Sequence, residues 1–137
     1  MVDFSTLRGE IDAGRPGNAI AVLGRICDGG DANADVHRLL SYALLTDGDE
    51  AAAMDALAAA RADTSAETEL AFGRFLNGKG HARAALSCLE AAVALDPDNI
   101  DALALVSMTQ SKLGDRAAML NAGQACLDAA DRAALAT

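Results

Sequence analysis

The chain has 137 residues, of which 52% are apolar, and 20 acidic against 11 basic side chains give it a formal net charge of −9. Because nucleic acids are bound by basic faces, this charge excludes nucleic acid as the expected partner. No run of 18 uncharged apolar residues occurs and no apolar run follows Met1, so neither a membrane span nor a signal peptide is expected.

The pattern of apolar residues predicts eight helices and no strand, because alternation is absent and β-branched residues are scarce. Gly and Pro residues separate the helices, and Thr64 with Glu67 three residues later is typical of a capping box at the start of the fifth. The predicted helices cover residues 3–13, 18–27, 33–46, 50–62, 66–77, 81–95, 99–113 and 115 to 129 or beyond.

A glycine recurs between the two helices of each predicted pair, at positions 14, 48, 80 and 114, which are 34, 32 and 34 residues apart. The residues five, nine and twelve positions after each glycine lie on one face of the second helix. In the best copies these three residues are small, large and small. The copies read Ala19, Leu23, Ile26; Ala53, Leu57, Ala60; Ala85, Leu89, Ala92; and Met119, Gly123, Cys126. The sequence therefore predicts an internal repeat.

The central copy, residues 66–99, carries the pattern most completely. It has Phe72-Gly73 in its first helix, the small-large-small set in its second, and Pro97 at its end. A glycine inside a helix costs about 1 kcal/mol relative to alanine, so we expect Gly73 to allow close approach of the neighbouring helix.

The period and these residues resemble the tetratricopeptide repeat (TPR) family. The resemblance implies an all-α fold in which antiparallel helix pairs form a right-handed superhelical stack. Such a fold is a TPR-like α-solenoid. It implies a single domain over residues 1–137, with repeats at roughly 1–30, 33–64, 65–98 and 99–132.

The sequence offers no constellation of catalytic or metal-binding residues. The two histidines, His37 and His81, lie far apart, and Gly78-Lys79-Gly80 lacks both the preceding strand and the following Ser or Thr of a phosphate loop. We therefore expect no enzyme, no metal and no cofactor. The three cysteines are odd in number and dispersed, which indicates reduced thiols and a cytoplasmic location.

The family resemblance implies that first helices line a concave face that holds a protein or peptide segment. Transferred by position, this face includes Phe4, Arg8, Ile11, Arg38, Leu39, Tyr42, Leu45, Leu70, Arg74, Asn77, Asp101, Leu105, Met108 and Lys112. The candidate partner-binding residues are Arg8, Arg38, Tyr42, Leu45, Leu70, Arg74, Asn77, Met108 and Lys112. Four of them are basic, which predicts a neutral or positive groove in an acidic protein; the alternative is that these four are ordinary solvated side chains.

Two functions agree with these features. The first is a protein–protein interaction scaffold, and the alternative is an N-terminal TPR module of a larger enzyme of transferase or hydroxylase type. In the eighth helix Leu120 and Leu127 share a stripe that could face outward. The sequence therefore also indicates a homodimer through the C-terminal hairpin, or a further domain that covers this face. The alternative is that the charges of Asp128, Asp131 and Arg132 keep this end soluble without a cover.

Overall fold

The computed structural model describes residues 3–136, and within that range every regular element is an α-helix. The expected all-α class is confirmed, and the predicted helix limits agree with the observed ones to within two residues except in α8. The helices are α1 Phe4–Asp12, α2 Gly17–Asp28, α3 Ala34–Asp47, α4 Glu50–Ala60, α5 Ala66–Gly78, α6 Ala82–Leu95, α7 Ile100–Lys112 and α8 Arg116–Leu135.

The helices form two compact units, Met1–Thr64 and Ser65–Thr137. The first unit holds α1–α4 and the second α5–α8, so each contains two helix hairpins. In the first unit α3 packs on α4, α2 and α1; in the second α6 lies between α5 and α7, and α7 packs on α8.

The four recurring glycines all have a left-handed backbone, with φ of 80° at Gly14, 89° at Gly48, 86° at Gly80 and 79° at Gly114. Each ends its helix in the same way. The Asp49 amide donates to the Leu44 carbonyl at 2.9 Å and the Gly48 amide to Leu45 at 3.1 Å, and the other three turns repeat this pair of bonds. A side chain is strained in this conformation, which explains why glycine recurs.

Side-chain caps begin six of the eight helices, at Asp3, Asn33, Asp49, Ser65, Asn99 and Asp115. The capping box at Thr64 was wrong by one residue. The Ser65 hydroxyl accepts from the Thr68 amide at 3.1 Å, and α5 begins at Ala66. Thr68, rather than Glu67, therefore occupies the third helical position. In a capping box a glutamate at that position accepts a hydrogen bond from the backbone amide of the cap residue, and Thr68 has no carboxylate to accept it.

The core of each unit is built from the predicted second-helix residues and the apolar faces opposite them. Ala19, Leu23, Ala53, Leu57 and Ala60 are buried in the first unit, and Ala85, Leu89 and Ala92 in the second. In the last copy Met119, Gly123 and Cys126 are only half-buried. Ile26, the third position of the first copy, is also half-buried. All three positions thus belong to the core in the second and third copies, two do in the first, and none is fully covered in the fourth.

Gly73 lies against α6, as its position inside a helix indicates. A Cβ atom at residue 73 would come within 2.8 Å of Leu89 Cδ2 and 3.3 Å of the Ala85 carbonyl oxygen. Leu89 and Ala85 are both fully buried. The missing side chain therefore allows α5 and α6 to pack at this distance.

Helix α8 is longer than the sequence pattern indicated and runs for 20 residues. Its C-terminal half is fixed to the rest of the second unit, since Ala129 is buried and Arg132 donates to the Asp98 carboxylate at 2.6 Å. Asp98 lies in the loop before α7, so this ion pair holds the end of α8 beside the start of α7.

Candidate partner-binding site

In the first unit α1 and α3 border an open cleft of about 410 Å³. Both helices are first helices of their repeats, and three residues of the predicted binding face, Phe4, Arg8 and Leu39, contribute to it. The full lining is Phe4, Ser5, Arg8, Asn33, Asp35, Val36 and Leu39. Phe4 is 44% exposed at this position, so its ring is available to a partner.

Tyr42 and Ile11 lie on the same two helices but inside the unit. Tyr42 is 3% exposed and Ile11 is 1% exposed. The Tyr42 hydroxyl donates to the Asp12 carboxylate at 2.5 Å, which joins α3 to the end of α1. Burial, followed by this hydrogen bond, raises the pKa of Tyr42 to about 12. The structure therefore gives Tyr42 a role in joining the helices, and its ring is covered by its own chain.

Arg38 also has internal partners. Its guanidinium donates to the Asp35 carboxylate at 3.0 Å and to the Asp63 carbonyl at 2.9 Å, and only 12% of its side chain is exposed. Asp63 follows α4, so Arg38 holds the end of the second hairpin against α3. A partner would compete with these bonds for the guanidinium. Leu45, further along α3, is half-buried.

In the second unit the predicted face is formed by α5 and α7, which are in contact. The Asn77 amide donates to the Thr109 hydroxyl at 2.9 Å, and Thr109 in turn donates to the Leu105 carbonyl at 2.7 Å. Arg74 lies 3.8 Å from the Asp101 carboxylate, with 55% of its side chain exposed. The two helices are thus joined by one buried polar contact and one solvent-exposed ion pair.

The exposed part of this face combines apolar and charged side chains. Met108 is 57% exposed, Lys112 is exposed, and Leu70 and Leu105 are half-buried. Thioether side chains adapt to irregular partner surfaces, and long basic side chains add charge to them. Arg74, Met108 and Lys112 therefore form the accessible set in the second unit.

Several residues of these faces were not predicted from the sequence. Asn33 and Asp35 line the first cleft because the N-terminus of α3 lies beside α1, and Thr109 accepts the bond from Asn77. Asn33 is the N-cap of α3, accepting from the Val36 amide at 2.9 Å. A cap signal at Asn33 was readable from the sequence, whereas the pairing of Asn77 with Thr109 needs the spacing of the two helices.

The described residues contain no group of three or more His, Cys, Asp or Glu side chains that could hold a metal ion. Cys27 Sγ lies 3.7 Å from His37 Nδ1, and burial, with Asp28 as a second cause, raises the pKa of this thiol. Such a thiol is a poor nucleophile at neutral pH, because the thiolate is the reactive form. None of the helices between residues 3 and 136 has both the length and the apolar content that a membrane crossing requires.

A search with protein-family models found no match, and a search of curated proteins found none either. Among solved structures the chain resembles two crystal structures of MamA, each with 22% sequence identity over 91% of this chain and a TM-score of 0.55. The matches span 74% and 69% of the MamA chains. At this identity the likeness establishes a shared fold, an all-α helical repeat.

Proposed function

We propose that this protein is a TPR-type interaction scaffold that binds a protein segment along the exposed faces of its first helices. The observation that carries the proposal is the open cleft between α1 and α3, which is lined by both apolar and charged side chains. The repeat in the sequence, the recurring left-handed glycines and the MamA-like fold support the TPR assignment. A scaffold of this kind needs no catalytic group, and we propose that the chain is not an enzyme.

The side chains at these faces favour a segment that combines acidic and apolar residues. In the second unit Met108 supplies exposed apolar surface and Arg74 and Lys112 supply positive charge; in the cleft of the first unit Phe4 supplies exposed apolar surface. The Arg74–Asp101 pair is exposed and 3.8 Å long, and such pairs contribute at most about 1 kcal/mol. A carboxylate on the partner can therefore replace Asp101 at little cost.

Six predicted residues remain candidates for contact with a partner: Arg8, Leu45, Leu70, Arg74, Met108 and Lys112. Asn77 is instead engaged with Thr109 inside the second unit. Tyr42 and Arg38 support the face from inside, through the contacts with Asp12 and Asp63.

All three cysteines are free thiols, which supports a reducing, cytoplasmic setting.

A displayed library of random peptides tests the proposal while the natural partner is still unidentified. The library is selected on the wild-type chain, and the recovered peptides are then measured on a face variant, Phe4→Ser with Arg74→Glu and Met108→Ser. A matched control variant changes the exposed face of α6, a second helix, with Arg83→Glu and Leu95→Ser. Leu95 is 53% exposed, close to the 57% of Met108, so the control matches the Met108 and Arg74 changes, and the Arg74→Glu with Met108→Ser double variant is measured beside it.

We expect acidic and apolar peptides to be enriched, to bind the control variant as they bind the wild type, and to lose affinity for the face variant. Far-ultraviolet circular dichroism checks that both variants keep their helices. Failure to enrich any peptide, or equal affinity for the face variant, would contradict the proposal.

A second interaction, self-association through the C-terminal hairpin, is favoured by two exposed leucines. Leu120 is 57% exposed and Leu127 is 61% exposed, and both lie on α8. Their side chains project into solvent on a helix whose opposite side packs on α7. We propose that a second copy of the chain covers them.

A further inference from the structure

The outward face of α8 carries charges as well as leucines. Four residues of α8 fall within roughly 60° of one another around a helix of 3.6 residues per turn: Arg116, Leu120, Leu127 and Asp131. We call these four residues the α8 stripe. The side chains of Arg116 and Asp131 are exposed. Between residues 3 and 136 neither makes a side-chain hydrogen bond or an ion pair, although Arg132, next to Asp131, is paired with Asp98.

Contacts on the other side of α8 fix this stripe toward solvent. The Ser107 hydroxyl donates to the Met119 carbonyl at 2.9 Å, and the Cys126 thiol donates to the Ile100 carbonyl at 3.6 Å. The Arg132–Asp98 ion pair adds a contact near the end of the helix. The α8 stripe faces away from the side of the helix that makes these contacts.

The order of residues along the α8 stripe is symmetric about the point between Gly123 and Gln124. Leu120 and Leu127 are equally far from that point, and so are Arg116 and Asp131. When two copies of α8 pack antiparallel with these midpoints opposite each other, each Leu120 lies opposite Leu127 of the second copy. Each Arg116 then lies opposite Asp131 of the second copy. A parallel pair would instead place like charges together.

Arg116 stands at the end of α8 where the helix dipole does not favour it. It is the first helical residue, where a negative charge is stabilising. The helix alone does not account for a basic residue at this position, whereas pairing with Asp131 of a second copy does.

We infer that two copies associate through antiparallel α8 helices, with four leucines at the centre and an Arg116–Asp131 ion pair at each end. The inference rests on the self-association proposed above and adds its register and its twofold symmetry. The contact is isologous and closes after two copies. One helix pair buries less surface than a standard interface, so the dimer is weak and depends on concentration.

Charge reversal tests this register, measured by sedimentation equilibrium over a concentration series. Arg116→Asp sets two acidic side chains opposite each other at both ends of the pair, and Asp131→Arg sets two basic ones there. Each single variant should therefore raise the dimer dissociation constant about tenfold. The double variant restores opposite charges and should return to near the wild-type value. Arg116→Asp agrees with the helix dipole, and both positions are exposed, so neither single change should unfold the monomer.

The matched controls are Arg83→Asp and Glu90→Arg on exposed positions of α6, which change the net charge equally and should leave dimerisation unchanged. A wild-type chain that stays monomeric at every concentration would overturn the self-association itself. A dimer dissociation constant that is unchanged in the single variants, or that does not return toward the wild-type value in the double variant, would overturn only the register. Association that continues beyond two copies would overturn the twofold symmetry.

Discussion

Gly73 and Leu89 are in such close contact that residue 73 has no room for a Cβ atom. An atom at that position would lie 2.8 Å from Leu89 Cδ2 and 2.9 Å from Leu89 Cγ. Leu89 is fully buried, so it cannot move aside into solvent. This contact sets the distance between α5 and α6, the pair that follows the repeat pattern most completely.

Gly73→Leu should therefore lower the free energy of unfolding by roughly 1–3 kcal/mol or more, because it overpacks the α5–α6 contact. Gly24→Ala is the matched control, since a Cβ at Gly24 in α2 meets nothing within 4 Å. That change should stabilise the chain by about 0.5–1 kcal/mol through helix propensity. Urea unfolding followed by circular dichroism measures both; an unchanged midpoint for Gly73→Leu would show that the contact is not tight.

Arg38→Ala should destabilise the first unit although Arg38 was expected to serve a partner. The substitution removes the bonds to Asp35 and to the Asp63 carbonyl from a side chain that is 12% exposed, a loss of about 1–3 kcal/mol. Arg74→Ala should change the free energy of unfolding by less than about 0.5 kcal/mol, because its ion pair is exposed. Equal effects of the two substitutions in thermal unfolding would contradict this assignment.

Tyr42 should make the stability of the first unit depend on alkaline pH. Its pKa is about 12 in the folded chain against an ordinary value of 10, so the unfolded chain loses the phenolic proton first. Stability is therefore fully present below pH 10 and falls as the pH rises toward 12. Tyr42 is the chain's single tyrosine, so its absorbance reports the titration directly. In Tyr42→Phe this part of the pH dependence should disappear; a wild-type titration at the ordinary pKa would contradict the buried contact.

The helices and the core were predictable because local signals fix them. The recurring glycines predicted turns and the small-large-small positions predicted a packed face, and the structure has a turn at Gly48 and buried side chains at Ala53, Leu57 and Ala60. The cap of α5 was misassigned because Thr64 and Ser65 are both good capping residues. Local sequence does not distinguish two adjacent hydroxyls.

The candidate faces were less predictable, since exposure depends on contacts distant in sequence. Tyr42 was expected to be accessible because the family pattern places it on the binding face, but it is buried and donates to Asp12, thirty residues earlier. Arg38 likewise donates to the Asp63 carbonyl, a main-chain group whose position cannot be predicted from the pattern of side chains. Phe4, Arg74 and Met108 are exposed and Leu39 is half-buried, as their transfer to the binding face predicted.

The most direct test of the scaffold proposal is to map where a selected peptide binds by nuclear magnetic resonance. At 13.9 kDa the chain is small enough for assignment of its backbone amides. On titration with the most strongly enriched library peptide, we expect the largest amide shift changes in α1 and α3, in α5 and α7, or in both sets. Changes concentrated in α2, α4, α6 and α8, with the first helices unaffected, would contradict binding along the first-helix faces.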